Sequence, residues 1–223
     1  MSPAIRQDPD AMGELFIWTN IDPAYEDDFN KWYDREHMAE RAGIPGFMWA
    51  RRYRSQAGPR PYLALYRTET MHVFRSPAYR QAFEHQTPWS LANFERMRNT
   101  NRRVTVVSPL HGVGTGGALA LLRLGSLQNA QRAAAMVASP RMDLGGVLCL
   151  RVLTPDPELS TPLPSEDPSS RVLEPFLVID TVTEPAAADA AQHFAAALDL
   201  GGEHLQIFRL LWELRSCDLA AAR

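Results

Sequence analysis

The feature that most restricts how this chain can fold is a glycine-rich break, Gly112-Val113-Gly114-Thr115-Gly116-Gly117, with the same order of elements on either side. Before the break, residues 14–21 (ELFIWTNI) are rich in β-branched and aromatic side chains and stop at Asp22-Pro23, which predicts a strand. Residues 25–42 open with acids, contain no Gly or Pro and stop at Gly43, the pattern of a helix whose charges suit its dipole. Strands over 47–54 and 61–68 follow, then one helix or two short ones over 77–97, interrupted near Thr87-Pro88, then a strand over 102–108. After the break the order recurs: strand 118–124, helix near 128–138, strands 146–153 and 175–182, helix 186–198, strand 204–214. The break has the glycines of a phosphate loop, but no Lys-Ser/Thr follows and a strand comes next, so it reads as a linker.

Each half is therefore a ferredoxin-like βαββαβ unit, a four-stranded antiparallel sheet with helices on one face. The other face is bare, and two bare faces can close on each other with the helices outside. The expected fold is α+β, with two ferredoxin-like halves forming an intramolecular α+β barrel, an architecture usually built by two chains. The expected division is an extension over 1–13, a first half over 14–111, the linker 112–117, a second half over 118–215 and a tail over 216–223. The loop 154–174, rich in Pro, Ser and acids, is expected to be a mobile excursion. Exposed sheet edges leave room for a homodimer.

Of the 223 residues, 45% are hydrophobic and 22% charged, with a net charge of −3, so no electrostatic case exists for nucleic acid. The arginine-dense stretches around Arg51 and Arg102 are offset by acids elsewhere. No run approaches the ~20 apolar residues that cross a bilayer, and Met1 to Asp8 lack the apolar core of a signal peptide. A cytoplasmic protein without membrane attachment is expected. Cys149 and Cys217 lie far apart in apolar segments and are expected as buried thiols. No histidine spacing suits a metal, so neither metal nor cofactor is expected.

The chemistry-bearing segment is the first helix. At 100° per residue, Phe29, Trp32, Tyr33 and Glu36 share a side that His37 and Glu40 continue, and Asp34 and His37 are three apart. A histidine beside carboxylates tends to have its charged form favoured and can act as acid or base near neutral pH. Alternatively, Glu36 and His37 clasp the strand 47–54 structurally. Strand alternation groups Phe47, Trp49, Arg51 and Tyr53 on one face, Phe16 with Trp18, and Tyr62 with Tyr66. These aromatics would line a pocket for a flat, partly anionic molecule, or simply fill the barrel. A buried Arg51 needs an anionic partner, either Glu36 or a ligand carboxylate. Trp89, with His85, could form a lid.

The run Phe29-Asn30-Lys31-Trp32-Tyr33-Asp34-Arg35-Glu36-His37, followed by Ile44-Pro45-Gly46-Phe47 and Ala50-Arg51-Arg52-Tyr53, resembles the EthD-like branch of the dimeric α+β barrel superfamily. There a W-Y-x-x-E-H helix precedes a P-G-F turn and an arginine-bearing strand. The resemblance is strong over 14–68 and weaker over 69–110, where it includes Thr87-Pro88-Trp89; over 118–214 it rests on element order alone. It implies a cavity between the sheet and the first helix, with His37 in the catalytic position and Glu36 and Arg51 beside it. The wider superfamily includes cofactor-free monooxygenases, muconolactone-type isomerases, polyketide cyclases, and aldoxime and haem enzymes. The second half departs from the pattern: its helix over 128–137 has no histidine or carboxylate, and Cys149 and Leu153 replace Trp49 and Tyr53, although Arg151 is kept. One site per chain is therefore expected.

The expected function is a small cofactor-independent enzyme of isomerase, cyclase or lyase type, or a cofactor-free monooxygenase. His37 would move a proton on a small aromatic, lactone or polyketide-like metabolite, oriented by Glu36 or Asp34. Arg51 would hold a carboxylate or enolate, among Tyr33, Trp18, Trp49, Tyr53, Tyr66 and Trp89. The alternatives are a non-catalytic binder of a hydrophobic metabolite and a haem-dependent enzyme.

Overall fold

The computed structural model describes residues 8–139 and 144–221. The first half comprises β1 (Gly13–Ile21), α1 (Glu26–Trp32), a single π turn (Tyr33–His37), α2 (Met38–Ala42), β2 (Phe47–Arg54), β3 (Tyr62–Thr68), α3 (Pro77–Glu84), α4 (Pro88–Arg96) and β4 (Met97–Gly112). The second comprises β5 (Ala118–Arg123), α5 (Leu127–Val137), β6 (Val147–Pro155), β7 (Phe176–Thr181), α6 (Glu184–Leu198) and β8 (Leu205–Arg215), followed by α7 (Ser216–Ala221). The expected tail is thus largely helical; residues 222–223, and residues 1–7 of the extension, lie outside the described residues. Thr87 breaks the 77–97 region in two, because its hydroxyl caps α4 by accepting from the Ser90 amide at 3.0 Å and Pro88 starts the helix.

The strands close into one barrel in the order β1-β3-β2-β8-β5-β7-β6-β4. The expected α+β barrel of two ferredoxin-like halves is therefore what the chain forms. Within it, each half keeps the order of its own sheet, and antiparallel seams β2–β8 and β4–β6 join the two. The 16-residue β4 is longer than expected because it pairs with β1 over its first part and with β6 over its second. Both edges of each half are consumed at these seams, which removes the edges on which a homodimer was expected to pair.

Strand alternation sorts side chains into two environments. Leu15, Ile17, Ala50, Tyr62, Ala64 and Tyr66 face outward beneath the first-half helices, packed with Phe29, Trp32, Tyr33 and Met38. Phe16, Trp18, Tyr53, Leu63, Leu65, Leu119, Leu121, Phe176 and Phe208 fill the barrel. In the second half, α5 and α6 cover Ala120, Leu122, Leu150, Val152, Leu177 and Ile179.

One end of the barrel also buries charge. Glu14, fully buried, meets Arg67 at 2.5 Å and Arg151 at 2.7 Å; Arg151 also pairs with Asp180, and Arg51 with Glu213. Two of these pairs, Glu14–Arg151 and Arg51–Glu213, cross between halves, and the pairing keeps every one of these ions from the far greater cost of isolated burial. Cys149 is buried as expected, but Cys217 is exposed on α7, a helix at the surface rather than a core segment. No helix among the described residues is long and apolar enough to cross a membrane.

The 154–174 loop packs against the first half rather than projecting into solvent. Consecutive arginines of β4 hold it from both sides of the sheet. Arg102 donates to the Leu159 and Thr161 carbonyls at 3.0 and 2.9 Å, while Arg103 reaches Glu166 at 2.5 Å and the Val172 carbonyl at 2.9 Å. Ser160 adds hydrogen bonds to the Val104 backbone at 3.0 and 3.1 Å. Two buried guanidiniums need many acceptors, and the loop supplies them as backbone carbonyls and one carboxylate.

Candidate active site

The first helix does not keep a uniform turn. The Met38 N–H bonds the Tyr33 carbonyl five residues back, forming a π turn, so angular positions derived at 100° per residue do not carry across 33–37. Glu36 consequently faces α4: it accepts from Thr87 Oγ1 at 2.5 Å and from Ser90 Oγ at 3.4 Å, and Ser90 in turn accepts from Trp32 Nε1 at 3.1 Å. Asp34 is half exposed, accepts from Trp212 Nε1 at 3.0 Å and lies 3.6 Å from Arg52. Neither carboxylate orients His37, contrary to expectation. Among the described residues the carboxylate paired with the ring is Glu40, whose Oε2 lies 3.6 Å from His37 Nδ1.

His37 is 5% exposed. Its ring stacks on Trp32 at 4.2 Å and meets Tyr33, Tyr66 and Phe94 edge-on at 5.3, 6.2 and 6.0 Å. The charged form is therefore disfavoured, not favoured: burial first, then Arg41 and Arg52, hold the imidazole well below its ordinary pKa. Burial also pushes the Tyr33 and Tyr66 phenols up, Tyr66 strongly.

His37 and Tyr33 open onto a cavity of about 200 Å³ between the sheet and the helices. Its walls are Leu15, Ile17, Phe83, Leu91, Phe94 and Met97, with Leu163 and Pro164 of the long loop closing over it. Two guanidiniums, Arg41 and Arg102, reach the cavity, and no carboxylate lies among its described lining residues. Arg41 donates to the Ala82 carbonyl at 3.2 Å and to Gln86 at 3.0 Å, and its buried Nε has no hydrogen bond among the described residues. Arg102 donates to the Tyr79 hydroxyl at 2.8 Å.

The remaining expected lining residues are distributed otherwise. Tyr66 stays beside the imidazole. Trp18, Trp49, Arg51 and Tyr53 point into the barrel, on the opposite side of the sheet from His37. Arg51 lies 3.9 Å over the Trp49 ring and pairs with Glu213 and Asp180, not Glu36. A bulge after Phe47 sends that residue to the helix side while Trp49 turns inward. Trp89 donates to Asp28 at 3.1 Å and packs at the base of α4 rather than over the cavity. Arg41, one turn beyond His37, and Arg102, an arginine within an apolar strand run, were legible as unusual positions, but the sequence did not connect them to the cavity. The same holds for Phe83, Leu91, Leu163 and Pro164. Among the described residues, no group of three or more His, Cys, Asp or Glu is placed to hold a metal.

No protein-family model matches the chain, and no curated protein does. Solved structures do resemble it. One, of an anthrone oxidase-like protein, is 12% identical with a TM-score of 0.57, covering 93% of this chain and 94% of the other. A candidate monooxygenase from Fusobacterium nucleatum is 9% identical with a TM-score of 0.55, covering 94% and 96%. Another from Lactobacillus acidophilus is 7% identical with a TM-score of 0.53, covering 92% and 94%. Together with the closed eight-stranded barrel, these likenesses show that the chain has the dimeric α+β barrel fold of paired ferredoxin-like units, made here from one polypeptide.

Proposed function

We propose that the chain is a small-molecule enzyme in which His37 acts as a general base on a flat, apolar substrate bearing an acidic O–H or C–H. The observation that carries this reading is a buried imidazole held neutral beside an apolar cavity whose charged wall groups are Arg41 and Arg102. A neutral imidazole can accept a proton, and guanidiniums in a low-dielectric cavity stabilise the anion that forms. With Nδ1 directed at Glu40, the ring's other nitrogen would take the proton, and Glu40 would then pair with the imidazolium. Proton abstraction is the first step common to isomerisation, cyclisation and elimination of aromatic, lactone or polyketide-like compounds, and to oxygenation of an enolate. The resemblance of the Trp32-Tyr33…Glu36-His37 run to the EthD-like branch supports placing the site here.

The oxidase-like and monooxygenase names among the structural neighbours make anthrone a suitable first probe. Incubated in D₂O buffer and followed by proton NMR, its acidic C–H is expected to exchange faster with the protein than without. His37→Gln is expected to lower the catalysed rate by about 10²-fold or more, the ordinary worth of a positioned base. A His37→Gln protein that exchanges as fast as the wild type would overturn the reading. Tight binding with no catalysed exchange would favour the non-catalytic binder.

A further inference from the structure

A second cavity, of about 370 Å³, lies at the mouth of the barrel where β2, β5 and β6 end and β3, β4 and β7 begin. It is separated from the His37 cavity by the sheet and by the long loop, whose Leu163 and Pro164 face one cavity and whose Ser165 and Glu166 face the other. Below it, Phe16, Trp18 and Phe176 plug the barrel, with Phe16 stacked on Phe176 at 4.5 Å.

The walls are polar and rich in guanidinium. Arg60, Arg123 and Arg171 line the cavity, and Arg103, 1% exposed, lies against its Glu166 and Asn101 walls. Three carboxylates also line it. Glu174 is engaged by Arg123 at 2.8 Å, Glu166 by Arg103 at 2.5 Å and Arg171 at 3.3 Å, and Asp167 by Ser169 and Ser170. Four guanidiniums against three carboxylates leave one positive charge in excess. Among the described residues Arg60 is the cation of this group without a carboxylate partner: its Nε donates to the Asn99 carbonyl and its guanidinium lies 4.8 Å over Trp18. Burial and the nearby Arg123 and Arg103 press it below its ordinary pKa, a strain that an anion would relieve. The Asn101 and Ser165 side chains add neutral hydrogen-bonding groups to the same walls.

We propose that this barrel mouth is a second ligand site, taking a small hydroxylated monocarboxylate whose carboxylate is held by Arg60, Arg123 and Arg171 and whose hydroxyls meet the Asn101 and Ser165 side chains. The single excess charge selects a monoanion, and the neutral polar side chains around it select a polyol over a simple acid. The site does not depend on the reading of His37.

Calorimetric titration of the full chain with gluconate tests it, with acetate and sorbitol as the comparators lacking hydroxyls and charge. Gluconate is expected to bind at least tenfold more tightly than either comparator. Arg60→Gln is expected to weaken gluconate tenfold or more with an unchanged circular dichroism spectrum. Ser170→Asp, an exposed rim substitution that cancels the excess charge, is expected to do the same. Gluconate binding no tighter than acetate or sorbitol would overturn the proposal, and so would wild-type affinity in a folded Arg60→Gln or Ser170→Asp protein.

Discussion

Replacing His37 by Phe should remove a specific pH dependence from the stability of the fold. The ring stacks on Trp32 at 4.2 Å, so an uncharged aromatic ring keeps most of the packing. Two influences on the imidazole oppose each other: Glu40 at 3.6 Å favours its protonation, whereas burial, Arg41 and Arg52 disfavour it and prevail. The unfolded chain then binds a proton near the ordinary pKa of about 6.5 while the folded chain does not. As pH falls below that value the unfolded state is favoured, so wild-type stability is intact above about pH 6.5 and declines below it until the lowered folded pKa is reached. For one group the limiting slope is about 1.4 kcal/mol per pH unit, so wild type should lose at most about 1.4 kcal/mol relative to His37→Phe between pH 7.5 and 5.5. Urea denaturation of both proteins at these two pH values measures the difference. A wild type that gains stability over the variant on acidification would mean that Glu40 prevails over burial and the arginines, and would refute the neutral imidazole.

Two further outcomes follow from the buried arginines. Arg102→Ala removes the hydrogen bonds to Leu159 and Thr161, charge-assisted bonds worth about 1.5–3 kcal/mol each; trypsin cleavage after Arg171 should accelerate tenfold or more, and an unchanged rate would show that Arg102 does not hold the loop. Asp180→Asn leaves Arg151 with Glu14 as its remaining carboxylate partner and should destabilise the chain by about 3–5 kcal/mol in chemical denaturation; a loss under about 1 kcal/mol would show that Glu14 suffices.

The fold was legible to the extent that it depends on local pattern. Alternation and turn residues mark the strands, the glycine break separates two similar runs, and the poverty of the second-half helix over 128–137 in ionisable groups makes the first half the candidate for chemistry. The inward and outward sets along β1 and β3 were also separable, because a strand has a period of two. What a single strand cannot say is which of its faces meets the neighbour's helix. Trp49, Arg51 and Tyr53 therefore read as companions of His37, although the sheet stands between them.

The sequence by itself determined the βαββαβ repeat, the asymmetry of its halves and the position of His37 on an aromatic helix, since these follow from residue order and spacing. Tertiary structure decided the protonation of that histidine, because burial and Arg52 of a neighbouring strand outweigh the acids beside it in the chain. It decided the partners of Arg51, which are supplied by β7 and β8 some 130 to 160 positions away. It also gave the long loop its place: a Pro- and Ser-rich segment with little apolar surface of its own is seated by Arg102 and Arg103, two adjacent residues that alternation sends to opposite sides of one sheet.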